Sequence, residues 1–170
     1  MMKLFGIILT AAVICITGNY FSRLKVKRVK ILENFVMFIK YLRTQIEFSK
    51  QPLEKIIEQA VASGEFENCG FLGLCLDKLK NGVALPVAWK ASAEEFQARS
   101  PITKEDCRTF KDFSNALGSS DTGGQIRNCD TYIGILELNI GVLQKSTDKS
   151  VKIINTLSLF AAAFVIIFFI

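Results

Sequence analysis

Apolar residues dominate both ends of the chain, and charged residues lie between the two apolar stretches or directly beside them. Residues 4–22 and 153–170 contain no lysine, arginine, aspartate or glutamate. As helices of about 19 and about 18 residues, they would each be roughly 27–28 Å long, close to the hydrocarbon thickness of a bilayer. The pattern predicts a transmembrane segment at each end, over residues 1–22 and 153–170.

Other interpretations compete for these stretches. The first could be a cleaved signal peptide or a buried core helix, and the last could be a buried terminal helix. Only Lys3 precedes the first stretch, whereas five basic residues follow it, which reverses the usual polarity of a signal peptide. Membrane insertion is therefore the favoured interpretation.

Basic residues flank both predicted spans on the inner side of the sequence. The residues are Arg23, Lys25, Lys27, Arg28 and Lys30 after the first span, and Lys149 and Lys152 before the second. Lysine and arginine near a span favour the cytoplasmic side. We therefore expect a cell-membrane protein whose basic stalk, residues 23–30, leads into a cytosolic domain, residues 31–150, with both termini outside.

The central domain has the three- and four-residue hydrophobic spacing of helices. After the first span, no glycine or proline occurs between Ser22 and Gln51, so one long helix is predicted. Its apolar stripe consists of Ile31, Phe35, Phe38, Ile39, Leu42 and Ile46. A second long helix is predicted at the end, with a seam of Ile126, Cys129, Ile133, Leu136, Ile140 and Leu143.

Helix boundaries are marked by specific residues. Shorter helices are predicted to begin near Pro52, Phe71, Pro86 and Thr103, and glycines end the first two, at Gly64 and Asn81-Gly82. Thr103 and Asp106 have capping-box spacing. Asp121 or Thr122 is expected to cap the last helix, with Gln125 reaching back across its first turn.

No segment shows the alternation of a β-strand. The predicted fold class is therefore all-α: roughly a six-helix bundle in which two long antiparallel helices extend into the N- and C-terminal transmembrane segments.

The net charge of +5 is unevenly distributed. Residues 31–150 carry 14 lysines and arginines against all 16 acidic residues, so the basic excess is juxtamembrane. This distribution suits anionic lipid headgroups, each basic residue near the surface contributing about 1 kcal/mol. We predict headgroup contact by the seven flanking residues named above and no nucleic-acid binding.

The chain contains no histidine, which removes the commonest general base and metal ligand. We therefore predict no catalytic residues, no metal site and no cofactor. Gly118 and Gly123 have the spacing that opens a phosphate-binding loop, but Gly124-Gln125 stands where Lys-Ser/Thr is needed. The five cysteines are expected to be free and mostly buried thiols.

Two features have both a structural and a partner-binding interpretation. Trp89 could be an exposed contact for a partner, although its helical spacing from neighbouring alanines and Phe96 favours the core. Acidic residues could form a docking face for a basic partner, although such residues are usually solvated helix ends. These residues are Glu65, Glu67, Glu94, Glu95, Glu105 and Asp106.

Several motifs resemble one family over essentially the whole chain. They are the basic stalk FSRLKVKRVK, the segment PLEKIIEQ, the dipeptide AW and the segment LGSSDTGGQI before the last helix. Together they resemble stage III sporulation protein AB. LGSSDTGGQ, from Leu117 to Gln125, is the most specific part. We expect a structural turn near a partner surface, formed by Leu117, Gly118, Ser119, Ser120, Asp121, Gly124 and Gln125.

The resemblance implies a component of the assembly that connects mother cell and forespore, on the mother-cell side. The family is similar to the helical domains of type II secretion and type IV pilus inner-membrane platform proteins. It therefore implies a non-enzymatic scaffold that links a membrane channel and its other subunits to a cytosolic ATPase encoded alongside it. A homo-oligomer is compatible with this function. The alternative is a small membrane sensor or regulator that binds an anionic ligand.

Overall fold

The computed structural model consists of helices joined by short connections. It describes residues 2–49, 51–117 and 121–169, and within the helices it leaves out the side chains of residues 2–11, 14, 15, 116, 162, 165, 166, 168 and 169. The helices are α1 (Met2–Phe48), α2 (Leu53–Ser63), α3 (Phe71–Lys80), α4 (Leu85–Arg99), α5 (Lys104–Phe113) and α6 (Thr122–Phe169), with a short 3-10 turn at Ser114–Ala116. The described residues contain no strand, so the predicted all-α class and its six helices are confirmed.

The helices form two compact units. The first unit comprises Met1–Lys27 and Val142–Ile170, and the second comprises Arg28–Gly141. Each long helix therefore contributes residues to both units, whereas the short helices α2 to α5 belong to the second alone.

The core of the second unit is built on the predicted apolar stripe of α1. All six residues of that stripe are buried, and Phe35, Phe38 and Ile39 are completely inaccessible to solvent. Since α1 contributes one continuous face to this core, the spacing that predicted the helix also identified the residues that pack inside it.

Aromatic rings fill the centre of this core. The ring of Phe35 lies 4.0 Å from that of Phe110 and 5.6 Å from that of Phe71, measured between centroids. Trp89 packs 5.0 Å from Phe71, and its Nε1 donates a hydrogen bond of 2.7 Å to the carbonyl oxygen of Phe110. Trp89 is fully buried, so its predicted core position is confirmed. Its hydrogen bond satisfies a polar group that would otherwise be costly to bury.

The short helices end and begin where the sequence indicated. Gly64 and Gly82 adopt positive φ angles of 72° and 81°, a backbone conformation in which a side chain is strained. Thr103 and Asp106 form the predicted capping box, because each side chain accepts a hydrogen bond from the backbone N–H of the other. These local signals set where the helices begin and end, and they act independently of tertiary packing.

Helices α1 and α6 run antiparallel within the second unit. Lys40 pairs with Glu137 and Arg43 pairs with Asp130, each with an N–O distance of 2.6 Å. The predicted seam of α6 is buried only at Cys129, Leu136 and Ile140. The other seam residues, Ile126, Ile133 and Leu143, are half-buried. They lie at the edges of the buried stripe, which is narrower than the sequence pattern predicted.

The first unit contains a close antiparallel contact between the same two helices. A Cβ atom placed on Gly18 would lie 2.0 Å from Oγ of Ser158. One turn further along α1, the hydroxyl of Ser22 donates a hydrogen bond of 2.9 Å to Oδ1 of Asn155. Gly18 and Ser22 are both buried, so small residues four apart allow the two backbones to approach closely.

No helix within the described residues combines the length and the apolarity needed to cross a membrane. The transmembrane segments predicted at residues 1–22 and 153–170 are therefore not confirmed. Parts of both segments lie outside the residues whose side chains are described.

Candidate functional site

The predicted partner turn lies between α5 and α6. Leu117 is buried and follows the 3-10 turn, whereas Asp121 is exposed and precedes the first residue of α6. Gly124 and Gln125 are half-buried in the first turn of α6. Gly118, Ser119 and Ser120 lie outside the described residues.

Asp121 caps α6. Its Oδ1 accepts a hydrogen bond of 3.0 Å from the backbone N–H of Gly124, and its carbonyl oxygen accepts one of 3.0 Å from the N–H of Gln125. Of the two predicted caps, the structure therefore selects Asp121 over Thr122. The carboxylate satisfies one of the unpaired amides at the helix start and interacts favourably with the helix dipole.

The turn is attached to the core at both ends. On the α5 side, Ser114 and Leu117 are both buried. On the α6 side, Nδ2 of Asn128 donates a hydrogen bond of 3.3 Å to the carbonyl oxygen of Phe113 at the end of α5. These contacts fix the start of α6 relative to α5.

The predicted turn leaves out Thr122 and Gly123 of this motif, which are the first two residues of α6. Gly123 is half-buried. It has no positive φ, so the backbone conformation does not require glycine there. A Cβ atom at Gly123 would lie 3.4 Å from Nη1 of Arg127 and 3.4 Å from Oδ2 of Asp121, which are ends of flexible side chains. Within the part of the chain that the structure describes, no contact therefore requires a glycine at this position.

The seven basic residues predicted to contact lipid differ in their surroundings. Six are exposed, namely Arg23, Lys25, Lys27, Lys30, Lys149 and Lys152. The seventh, Arg28, is bound to Asp106 through two hydrogen bonds, Nε to Oδ2 at 2.7 Å and Nη2 to Oδ1 at 3.0 Å. The Arg28 charge is therefore neutralised inside the second unit, while headgroup contact by the other six stays a prediction.

The Arg28–Asp106 pair is charged and mostly shielded from solvent, with the Asp106 side chain 10% exposed. Burial opposes ionisation of Asp106, but hydrogen bonds from Arg28 and Thr103 and the positive charge of Arg28 outweigh it. The pKa of Asp106 is consequently lowered from its ordinary value. A carboxyl with a lowered pKa in the folded state adds stability above its ordinary pKa, and this stability is lost as the pH falls through the lowered value.

We expect Asp106→Asn to lower the free energy of unfolding by about 1.5–3 kcal/mol at neutral pH, the range for hydrogen bonds to charged groups. The difference from the parent chain should shrink below about pH 4, near the ordinary pKa of aspartate. Urea titrations at several pH values measure it. The matched control is Asp112→Asn, also on α5, because the ion pair of Asp112 with Arg108 is exposed and has an N–O distance of 3.5 Å. A pH-independent difference for Asp106→Asn would contradict the prediction.

The acidic residues considered as a docking face are partly neutralised within the chain. Glu95 pairs with Lys78 at 2.8 Å and with Arg99 at 3.0 Å, and Glu94 pairs with Lys111 at 2.9 Å. Asp106 is bound to Arg28, as described above. Half of the six candidates therefore have basic partners of their own, which weakens the interpretation as a docking face for a basic partner.

The cysteines that the structure describes behave as buried apolar residues. Cys69, Cys75, Cys107 and Cys129 are free and buried, which confirms the prediction for these four, whereas the side chain of Cys15 is not described. Burial raises the pKa of Cys75 to about 12 and that of Cys129 to about 11. A thiol with so high a pKa is protonated at neutral pH and is a poor nucleophile.

The fold and these sites define an all-α protein with two long helices and a capped, glycine-containing turn. In the described part of the chain, carboxylates and thiols do not gather in groups of three or more that could hold a metal. The model of the stage III sporulation protein AB family matches residues 3–170. The chain therefore belongs to this family, whose role lies in stage III sporulation. Comparison with curated proteins and with solved structures gave no match.

Proposed function

We propose that this chain is a non-enzymatic platform subunit of a secretion-like channel complex formed in stage III sporulation. Its terminal apolar segments anchor it in the cell membrane, and its helical domain links the channel to a cytosolic ATPase on the mother-cell side. The role in stage III sporulation follows from the family. Membrane anchoring, orientation and the ATPase contact are the proposed parts.

Membrane anchoring is supported by the surface of the first unit. Large apolar side chains on both helices are more than half exposed: Val13, Ile16, Leu157, Leu159, Phe160, Phe164 and Ile167. Exposed apolar surface of this extent is typical of a membrane or partner contact. Exposed basic residues follow it on α1 and precede it on α6, where anionic headgroups would lie.

The observation that carries the ATPase contact is Gly123. Among the described residues, neither the backbone conformation nor a close contact requires a glycine there. Absence of a side chain is useful, however, where another protein approaches the helix backbone. The neighbouring Asp121 is exposed, so an approaching surface can also reach its second carboxylate oxygen.

The alternative function, binding of an anionic ligand, receives less support from the same turn. The Asp121 carboxylate already accepts a hydrogen bond from Gly124 at the start of α6. An anion at this helix start would therefore meet a negative charge, which opposes the attraction of the helix dipole.

The proposed function predicts that vesicles carrying the full chain recruit the purified ATPase encoded alongside it. We expect Gly123→Phe to weaken recruitment at least about tenfold, since every 1.4 kcal/mol lost at a contact changes the affinity tenfold. Flotation of the vesicles separates bound from free ATPase. The same gradient shows whether the chain itself stays with the vesicles after a high-salt wash, as an anchored protein should.

Gly73→Phe is the matched control. Gly73 is also a helical glycine, and the described part of the chain leaves open space around a Cβ atom placed there. Recruitment by Gly73→Phe should equal that of the parent chain. Equal recruitment by all three chains would refute the role of the turn, and loss of the chain from washed vesicles would refute the anchoring.

A further inference from the structure

Arg127 differs from the other arginines of the second unit. Those four, Arg28, Arg43, Arg99 and Arg108, form ion pairs with N–O distances of 2.6 to 3.5 Å. Arg127 is exposed on α6, and its guanidinium makes no ion pair with a carboxylate of the described residues. Its charge is therefore available to a carboxylate outside the chain.

The guanidinium of Arg127 lies over the start of α6. Long side chains in a helix lean toward its N-terminus, which brings this one back over the preceding turn. A Cβ atom placed on Gly123 would lie 3.4 Å from Nη1 of Arg127 and 3.4 Å from Oδ2 of Asp121. A positive and a negative group therefore flank the same stretch of helix backbone, in the turn proposed to contact the ATPase.

The neighbouring carboxylates of α6 have other partners. Asp130 follows Arg127 by three residues, a spacing at which helical side chains can pair. It instead binds Nε of Arg43 on α1, with an N–O distance of 2.6 Å. Asp121 uses Oδ1 to accept the hydrogen bond from the backbone N–H of Gly124, which holds it at the helix start. Both carboxylates are thus engaged elsewhere, and Arg127 keeps an exposed charge.

The two charges beside Gly123 specify the chemistry that a partner must present. A guanidinium can bind a carboxylate through two parallel N–H···O hydrogen bonds, and arginine is enriched at the contacts that dominate binding energy. Oδ2 of Asp121 can accept a hydrogen bond from an N–H or O–H group. A protein surface can offer both groups at a fixed spacing. A small free anion, in contrast, would reach Arg127 only beside the negative charge of Asp121.

We propose that Arg127 is the specificity-determining residue of the ATPase contact and that it binds an aspartate or glutamate on the ATPase surface. The inference rests on the proposed function and names the chemistry of the partner at that site. Beside this carboxylate, the ATPase presents a hydrogen-bond donor to Asp121. Opposite charges arranged in this way fix the orientation of docking and reject surfaces that present a basic residue to Arg127.

Flotation of vesicles that carry the full chain, with the purified ATPase encoded alongside it, tests the proposal. We expect Arg127→Glu to weaken recruitment at least about tenfold, because it brings two carboxylates together. The matched control is Arg108→Glu, which reverses the charge of an arginine on α5 whose side chain is 81% exposed. This control should recruit as the parent chain does. Urea unfolding followed by the fluorescence of Trp89 shows that both variants are folded.

A cross-link identifies the group that the guanidinium binds. Arg127→Lys keeps the positive charge and supplies a primary amine, which a carbodiimide joins through an amide bond to a carboxylate in direct contact. Peptide mass spectrometry should find this bond between position 127 and an aspartate or glutamate of the ATPase, whereas Arg108→Lys should give no such bond. Replacing the identified ATPase residue by lysine should then restore recruitment by Arg127→Glu, because the two charges are exchanged.

Failure of this inference can be told from failure of the proposed function. Parent vesicles that recruit no ATPase would refute both. Recruitment that Gly123→Phe weakens and Arg127→Glu leaves unchanged would overturn the inference alone. A loss in Arg127→Glu that the exchanged charges fail to restore would also overturn it, since the bound group would not be that carboxylate. Displacement of the ATPase from the parent by inorganic phosphate at constant ionic strength would make a free anion the ligand of Arg127.

Discussion

Replacement of Phe35 by alanine is expected to lower the free energy of unfolding by about 3–5 kcal/mol, the usual cost of removing a buried aromatic ring. Phe35 is completely buried and its ring contacts those of Phe71, Phe110 and Phe113. The substitution creates a cavity that these rings can fill only by adopting less favourable side-chain conformations. Because small domains are stable by only about 5–15 kcal/mol, a large fraction of the molecules should unfold at modest urea concentrations.

Tryptophan fluorescence measures this loss directly. Trp89 is the only tryptophan in the chain and is buried beside Phe35, with ring centroids 6.5 Å apart. Its emission therefore reports unfolding of this core. The matched control is Phe48→Ala, which removes a ring from the same helix where it is 75% exposed. The control should change the stability by less than about 0.5 kcal/mol. Similar losses in the two variants would show that α1 does not pack as described.

Replacement of Gly18 by leucine is expected to separate α1 from α6 within the first unit. Any side chain at this position meets Ser158, whose Oγ and Cβ would lie 2.0 Å and 2.9 Å from the new Cβ. The contact can be relieved only by moving one helix backbone. Overpacking of this kind costs about 1–3 kcal/mol.

Disulfide formation between Ser22→Cys and Asn155→Cys reports the approach of the two helices, since their side chains are hydrogen bonded in the parent chain. The reference variant, which combines Ser22→Cys and Asn155→Cys with Cys15→Ser, should form this disulfide readily. Gly18→Leu should lower its yield about tenfold, which corresponds to 1.4 kcal/mol. Peptide mass spectrometry after mild oxidation quantifies the yield.

Two further variants show whether steric contact is the cause. Asn19→Leu adds similar bulk at the next residue, which is exposed, and should leave the yield unchanged. Gly18→Ala alone should lower the yield. Combining it with Ser158→Gly removes both contacting atoms of Ser158 and should restore the yield. Equal yields for Gly18→Leu and Asn19→Leu would contradict the close contact.

The predictions on Asp106 and Gly123 probe different properties of the same chain. Asp106 affects stability and its pH dependence, because its partners Arg28 and Thr103 lie within the second unit. Gly123 affects binding of a partner protein. Their effects can therefore be separated by measuring stability and ATPase recruitment for each variant.

The candidate site was only partly predictable from the sequence. The motif from Leu117 to Gln125 located the turn, and the choice of cap was limited to Asp121 and Thr122. The sequence could not show that Gly123 lies within α6 and has no positive φ, because a glycine in a turn more often serves a positive φ.

By itself, the sequence determined the helices, their ends and most of the core of the second unit. Helical spacing, positive-φ glycines and the Thr103 capping box act over a few residues, so they can be read without knowing the fold. Only the tertiary structure decided that Arg28 binds Asp106, 78 residues away, instead of belonging to the exposed basic set. It likewise decided that Gly18 meets Ser158 and that Leu138 faces outward, because contacts between distant residues depend on how whole helices pack.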